Sequence, residues 1–190
     1  MSAPVGVGLI GCGAIAQLNH IRVLQEYDER FRLVALADLN PSLLQEVADH
    51  FRVEGRYTDF RQLLRRDDVD AVVICHSGSH RDTILAALQA GKDVFTEKPV
   101  AWNLRETEEV AAAVKGSDRI VQVGYHKLYD PGFAFARDRI REMRDLAFVR
   151  VTVLHPTNEL GLSPHRIRKG GGLVAQGHAD PGSFADQVSM

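Results

Sequence analysis

The chain has 190 residues and a formal net charge of −2 at pH 7, with charged and apolar fractions ordinary for a globular protein. This charge balance lacks the electrostatic footprint of nucleic-acid or anionic-membrane binding, so a small molecule is the expected partner. No segment has the length of a membrane span or the pattern of a signal peptide, and a cytoplasmic location is expected.

Residues 5 to about 124 alternate short β-branched runs with amphipathic helical stretches, which indicates βαβ units around a parallel sheet. Strands are predicted at 5–11, 32–38, 70–77, 93–99 and 119–125. Helices are predicted after the first strand, from Pro41 behind the capping residue Asn40, and over 58–66 and 80–90. A further helix is predicted over 104–115, where Asn103 with Glu106 resembles a capping box. The strand at 70–77 is apolar enough to be covered on both faces.

The pattern changes after residue 125. A helix is predicted near 131–145 and a half-exposed strand over 146–154, whereas residues 155–190 show no sustained periodicity. The predicted fold is α/β, a doubly wound parallel sheet over 1–125, followed over 126–190 by the beginning of a truncated or incomplete second α+β domain. Because a lone strand exposes an unpaired edge, we expect it to pair with another chain in a homo-oligomer, to pack poorly, or to have lost its continuation.

The stretch GLIGCGAIA at residues 8–16 ends the first strand with the spacing GxGxxA. In a dinucleotide-binding turn of this kind, Gly11 permits the turn, Gly13 lets the backbone approach a pyrophosphate, and Ala16 allows close helix packing. Ala14 and Ile15 lie at the helix start, where unsatisfied N–H groups face the phosphates, and they are further candidate cofactor contacts. With the alternating pattern, these residues predict a Rossmann-type fold.

Asp38 ends the second strand 22 residues after Ala16, near the distance expected for a carboxylate that binds ribose hydroxyls, and Leu39 follows it. A carboxylate repels a 2′-phosphate, and no arginine lies among residues 39–48, so NAD is favoured over NADP. The alternative interpretation makes the two glycines simple turn residues and Asp38 a strand-end or helix-capping residue.

A second constellation lies in AGKDVFTEKPVAWN, residues 90–103. It places Glu97, Lys98 and Pro99 just beyond the carboxyl end of a strand, where ligands bind in open α/β sheets. A lysine there can hold a substrate oxygen by its charge, or transfer a proton if burial lowers its pKa. The alternative is a solvated Glu–Lys pair before a turn proline.

The chain resembles the glucose–fructose oxidoreductase and inositol dehydrogenase family (Gfo/Idh/MocA) over about residues 5 to 155. The resemblance rests on GLIGCGAIA, LVALADLNP, DAVVICHSGSH, AGKDVFTEKPVA and VGYHKLYDPGF, which stand in the family's order. It implies an NAD-dependent oxidoreductase that transfers a hydride between the nicotinamide and a CH–OH carbon of a sugar, cyclitol or related polyol. It also implies that Lys98 lies beside the nicotinamide and the substrate, and that the Lys98–Pro99 peptide is cis.

The resemblance gives roles to three histidines. The loop HSGSH corresponds to one that lines the cofactor groove in the family. The expected cofactor contacts are therefore His76, Ser77, His80, Glu97 and Lys98. For His80 the alternative is a residue that caps or packs at a helix start, which is the more common role of such a histidine. His126 is a second catalytic candidate, with a structural histidine as the equal alternative.

The resemblance is incomplete near the end of the chain, where Phe184 replaces the family's catalytic histidine, so no acid–base role is assigned to Asp180. The alternative functions are a non-catalytic NAD-binding sensor or regulatory module, and an enzyme that oxidises and re-reduces its substrate for epimerisation or bond cleavage. The cysteines and the scattered histidines show no metal-ligand spacing, and no metal is expected.

Overall fold

The computed structural model describes residues 3–152 and 165–171. These residues form two compact units, one made of residues up to Val123 together with those from Ile167 onward, and one made of residues between Gly124 and Arg166. In the described ranges, the helices are all too short or too polar to cross a bilayer.

The first unit contains a sheet of six parallel strands in the order β3-β2-β1-β4-β5-β6. The strands are β1 (Val5–Ile10), β2 (Phe31–Ala37), β3 (Gly55–Tyr57), β4 (Ala71–Ile74), β5 (Asp93–Thr96) and β6 (Val121–Val123). The chain winds outward from β1 to β3, then returns to the other side of β1 and winds outward to β6, so the strand order reverses between β1 and β4. This order confirms the predicted doubly wound, Rossmann-type sheet.

Five helices connect these strands. The first consists of a π-helical segment (Ala16–His20) that continues into α1 (Ile21–Glu26), and the others are α2 (Pro41–Phe51), α3 (Phe60–Leu64), α4 (Arg81–Gln89) and α5 (Leu104–Lys115). Asn40 and Asn103 cap α2 and α5 as predicted, because their side-chain oxygens accept hydrogen bonds from backbone N–H groups in the first helical turn.

The hydrophobic core lies on both faces of the sheet, as expected for buried parallel strands. On one face, Leu9, Leu36 and Val73 pack with apolar side chains of α1 and α2. On the other face, Val72 and Ile74 pack with side chains of α3, α4 and α5. Since helices cover both faces, the carboxyl edge of the sheet remains as the place where loops can form a binding site.

The short strand β3 was not predicted. Its three residues pair with Ala35–Ala37 of β2. Three residues are too few for an alternating pattern to be visible, and this strand depends on the long-range ladder with its neighbour.

The second unit contains a 3₁₀ turn (His126–Tyr129) and the helix α6 (Pro131–Glu142), which has no buried residue. The predicted strand over 146–154 is wrong for residues 146–152, which have no strand pairing. A strand needs a neighbour to share its backbone hydrogen bonds, and among the described residues none lies beside this segment. The oligomer predicted from this strand therefore gains no support from residues 146–152. Residues 153–164 and 172–190, including Asp180 and Phe184, lie outside the described residues, and the domain boundary at 125–126 stays a prediction.

Candidate functional site

The residues predicted to bind a cofactor converge on the carboxyl edge of the sheet. Gly11 follows β1, Asp38 follows β2, His76 lies two residues after β4, and Glu97 follows β5. Because all the strands are parallel, these loops lie at the same edge, and the strand order reverses between β1 and β4, which is where ligands bind in open α/β sheets.

The two glycines of the turn after β1 have different structural roles. Gly11 has φ +97°, and a methyl group on it would lie 2.6 Å from His76 Cα and 2.8 Å from the carbonyl carbon of Cys75. Gly11 is therefore needed both for its backbone conformation and for the close approach of the loop after β4. A methyl group on Gly13 would meet no atom within 4 Å, so the space in front of this glycine is open.

The carboxylate of Asp38 is held between this turn and the start of α2. Its Oδ2 accepts a hydrogen bond of 2.7 Å from the Cys12 N–H, and its Oδ1 accepts one of 2.8 Å from the Asn40 N–H. Each carboxylate oxygen can accept a further hydrogen bond, so the fixed group can still receive ribose hydroxyls. Leu39, the next residue, is exposed.

The helix start after the glycine turn combines buried and exposed side chains. Ala16 is fully buried against the sheet, which fits the close packing expected of the third small residue, whereas Ile15 is exposed and Ala14 is half-buried. The Gln17 N–H donates to the Gly13 carbonyl, so the helical pattern begins directly at the turn.

Gln17 is a site residue that the sequence analysis missed. Its buried amide nitrogen donates to the carbonyl of Cys12 (2.8 Å) and to that of Arg168 (2.9 Å), and its amide oxygen accepts from the Arg168 N–H (2.9 Å). The Gly171 N–H donates to Ser42 Oγ, 3.0 Å away. Segment 167–171 thus lies against the glycine turn and the start of α2, a contact that no local sequence pattern indicates.

Lys98 is exposed at the end of β5, and the Lys98–Pro99 peptide is cis, as the resemblance implies. The neighbouring Glu97 does not form the solvated pair with Lys98 that was the alternative interpretation. Its Oε1 lies 2.9 Å from His20 Nε2, with both side chains 19% exposed. The His20 ring also packs 5.4 Å from the ring of Phe95. The pair between Glu97 and His20 therefore holds the lysine loop to the first helix.

The two histidines of the loop after β4 have protein partners at all four ring nitrogens. His76 Nδ1 lies 2.9 Å from the Ser77 carbonyl oxygen and its Nε2 lies 2.9 Å from Thr83 Oγ1. His80 is 2% exposed; its Nδ1 lies 2.7 Å from Thr96 Oγ1 and its Nε2 lies 2.8 Å from the His76 carbonyl oxygen. Burial lowers the pKa of His76 and so favours its neutral form. Ser77 is the exposed side chain of this group.

The two cysteines lie at the same edge without reactive character. Burial raises the pKa of the Cys75 thiol to about 12 and raises the pKa of Cys12 as well, and the Asp38 carboxylate adds to the effect on Cys12. Both thiols are therefore protonated at neutral pH. Within the part of the chain that the structure describes, no group of three or more His, Cys, Asp or Glu side chains could hold a metal ion.

His126 lies in the second unit, where it begins the 3₁₀ turn and is exposed. Its assignment as a second catalytic residue stays a prediction.

A family model described as an oxidoreductase family with an NAD-binding Rossmann fold matches residues 5–125. The inositol 2-dehydrogenase/D-chiro-inositol 3-dehydrogenase of Shouchella clausii is 38% identical over 132 residues, which cover 68% of this chain and 38% of the relative. The inositol 2-dehydrogenase of Paracoccus denitrificans is 34% identical over 140 residues, which cover 72% of this chain and 41% of the relative. The chain thus spans about two fifths of the length of the curated relatives it matches.

The chain is also similar to solved structures of inositol dehydrogenases. The scyllo-inositol dehydrogenase from Lactobacillus casei, with bound cofactor NAD(H) and scyllo-inositol, superposes with a TM-score of 0.66 and 26% identity over 73% of this chain and 41% of that one. The myo-inositol 2-dehydrogenase from Lactobacillus plantarum superposes with a TM-score of 0.66 and 27% identity over 73% of this chain and 41% of that one.

Proposed function

Because the chain belongs to the Gfo/Idh/MocA oxidoreductase family, whose NAD-binding Rossmann fold spans residues 5–125, we propose that it works as an NAD-dependent oxidoreductase. The proposed reaction transfers a hydride between the nicotinamide and a CH–OH carbon of a cyclitol, sugar or related polyol. One observation carries the proposal: an open glycine turn, a fixed carboxylate and an exposed lysine share one edge of the sheet. The names of the relatives, which are inositol dehydrogenases, support the cyclitol class.

The residues of the glycine turn suit the pyrophosphate of a dinucleotide. The open space at Gly13 leaves room for phosphate oxygens, and the backbone N–H groups at Ala14 and Ile15 begin a helix whose N-terminal end favours negative charge. Asp38 is proposed to accept hydrogen bonds from the ribose hydroxyls, with Leu39 beside the adenosine. Its negative charge would repel a 2′-phosphate, which favours NAD over NADP.

Lys98 is the proposed catalytic residue. Bound NAD supplies the hydride acceptor for alcohol oxidation. The neutral amine of Lys98 would accept a hydrogen bond from the substrate hydroxyl and take its proton when the hydride leaves the carbon, and the resulting ammonium would hold the carbonyl oxygen of the product. Ser77 is proposed to contact the nicotinamide side of the groove, while Glu97 and His76 hold the surrounding loops. His126 is a further candidate for contact with the substrate.

Binding and turnover test the proposal separately. Calorimetric titration should show that NAD binds more tightly than NADP, and that Gly13→Val abolishes binding because a large side chain fills the open space. With myo- or scyllo-inositol and NAD, Lys98→Ala should lower kcat about 100-fold or more, the usual loss on removal of an acid–base group, with NAD affinity retained. Lys115→Ala, which removes an exposed lysine at the end of α5, is the matched control.

Two results contradict the proposal. The cofactor assignment is overturned if the wild-type chain binds neither dinucleotide. The catalytic assignment is overturned if Lys98→Ala turns over substrate as fast as Lys115→Ala. Sedimentation of the purified chain measures the predicted self-association independently of either assay.

A further inference from the structure

We propose that His80 is a positioning residue that fixes the Lys98–Pro99 loop against the loop after β4. The inference rests on the proposed function, because these two loops carry the expected cofactor contacts on the nicotinamide side of the groove. The side chain of His80 is 2% exposed, so it acts through the loops it binds and not by touching a ligand itself.

His80 makes three hydrogen bonds, two to the lysine loop and one to the loop after β4. Its Nδ1 lies 2.7 Å from the hydroxyl of Thr96, which is two residues before Lys98. Its backbone N–H donates to the carbonyl of Val100, two residues after Lys98, over 3.1 Å. Its Nε2 lies 2.8 Å from the carbonyl oxygen of His76, in the other loop. One residue therefore holds both sides of the cis-proline turn and ties that turn to the β4 loop.

The partners determine which nitrogen of the ring carries the proton. A carbonyl oxygen can only accept, so the bond to His76 requires a hydrogen on His80 Nε2. In the neutral ring, Nδ1 is then an acceptor and the Thr96 hydroxyl is the donor. Thr96 Oγ1 also lies 3.3 Å from the Glu97 carbonyl oxygen. Its single hydrogen forms the shorter and stronger hydrogen bond with His80 Nδ1, 2.7 Å away.

A simple capping role does not explain this arrangement. His80 occupies the position before α4, yet its ring makes no hydrogen bond to the first N–H groups of that helix. Both ring nitrogens are instead used between loops, and because His80 is buried, loss of the Thr96 hydroxyl would leave its Nδ1 unsatisfied in the core.

Two substitutions can separate the two ring contacts. In His80→Asn the amide oxygen stands near the position of Nδ1 and can still accept from Thr96, whereas the donor to His76 is lost. In His80→Gln the amide nitrogen stands near the position of Nε2 and can still donate to His76, whereas the acceptor for Thr96 is lost. Thr96→Val removes the hydroxyl at nearly constant shape, and Thr96→Ser keeps it.

Hydrogen exchange of backbone amides reads out each loop without any cofactor. His80→Asn should increase exchange at Cys75, the hydrogen-bonded amide next to His76, and leave residues 96–98 protected, and His80→Gln should give the opposite pattern. Imidazole nitrogen shifts in the wild type should show the tautomer with hydrogen on Nε2. If both variants loosen both loops alike, or if the ring carries its hydrogen on Nδ1, the inference is wrong.

NAD titration completes the test. Thr96→Val should weaken NAD binding about tenfold, the effect of losing roughly one buried hydrogen bond, and Thr96→Ser should restore it. Val69→Ala is the control, because Val69 is buried before β4 at the opposite edge of the sheet, and its loss lowers stability without touching the site. Equal NAD affinity in Thr96→Val and the wild type overturns the inference alone, whereas a wild type that does not bind NAD overturns the proposed function as well.

Discussion

The two glycines of the turn after β1 should respond differently to the same small change. Gly11→Ala should destabilise the fold, because φ at this position is +97° and the new methyl group would press on the backbone of His76 and Cys75. Gly13→Ala should fold normally, because its methyl group would point into open space, but it should bind NAD poorly because that space is the proposed phosphate site.

The size of the first effect follows from two contributions. A left-handed backbone costs a residue with a side chain about 1–2 kcal/mol. An extra methyl group in a packed environment costs about 1–3 kcal/mol more, and here the neighbours are backbone atoms that cannot rotate away. Together they predict a loss of roughly 2–5 kcal/mol for Gly11→Ala, a large fraction of the total stability of a domain. For a chain of this length this corresponds to a decrease in Tm of roughly 4–20 °C.

Thermal unfolding and NAD titration of both variants check this pair. Gly13→Ala should stay within about 0.5 kcal/mol of the wild type in stability, as substitutions in open surroundings usually do. Its NAD affinity should fall at least about tenfold, which is 1.4 kcal/mol. The reasoning is refuted if Gly11→Ala is as stable as the wild type, or if Gly13→Ala keeps full NAD affinity.

Three further predictions concern stability and reactivity. The pKa of His76 is below its ordinary value of 6.5, so the unfolded chain binds the proton more readily than the folded chain. The contribution of His76 to the free energy of unfolding should therefore be complete above about pH 6.5 and fall as the pH drops below it. Urea unfolding of His76→Gln should show a flatter dependence of stability on pH. The raised pKa values of Cys75 and Cys12 predict slow reaction with a thiol reagent at pH 7.5 in the folded chain and fast reaction in urea; rapid modification of the native protein would contradict the burial argument. Asn103→Ala should cost about 1 kcal/mol by removing the cap of α5, with Asn103→Ser as the control that retains a capping oxygen, and calorimetry would measure both.

Apart from β3, the sequence pattern predicted the elements of the first unit well, because each of them has a local signal. The capping residues Asn40 and Asn103 lie directly before the helices they begin, and the helix at 104–115 has the predicted bounds. The predicted strands ran too far at their carboxyl ends, as at 70–77 against Ala71–Ile74. A strand ends where its neighbour stops pairing, and β-branched or apolar residues can continue into the following loop.

The failed strand at 146–152 shows the same limit more clearly. Residues 149–152 alternate between apolar and polar side chains, as a strand with one buried and one exposed face does. Pairing is a property of two strands, and the alternation of one strand carries no information about whether a neighbour is present. The short strand β3 is the converse case, where a neighbour creates a strand that its own three residues do not signal.

The candidate site divides along the same line between local and long-range information. Gly11, Gly13 and Asp38 could be predicted because their spacing along the chain is the one expected of a dinucleotide-binding site. The residues that hold the loops in place could not, because their partners are distant in sequence: Gln17 binds the backbone of Arg168, and His20 binds Glu97. Neither residue belongs to a pattern of its own, so only the folded chain identifies them.

Asp38 shows why the alternative interpretations of one residue need not exclude each other. The sequence allowed either a ribose-binding carboxylate or a strand-end or helix-capping residue. In the structure Asn40 caps α2 and Asp38 stands at the end of β2, where both its oxygens accept backbone N–H groups that fix the carboxylate beside the glycine turn. A flexible carboxylate would lose side-chain entropy on binding a ribose, whereas one already fixed by the Cys12 and Asn40 N–H groups loses little. These backbone contacts therefore favour the proposed cofactor contact, because they position its acceptor atoms before the ligand arrives.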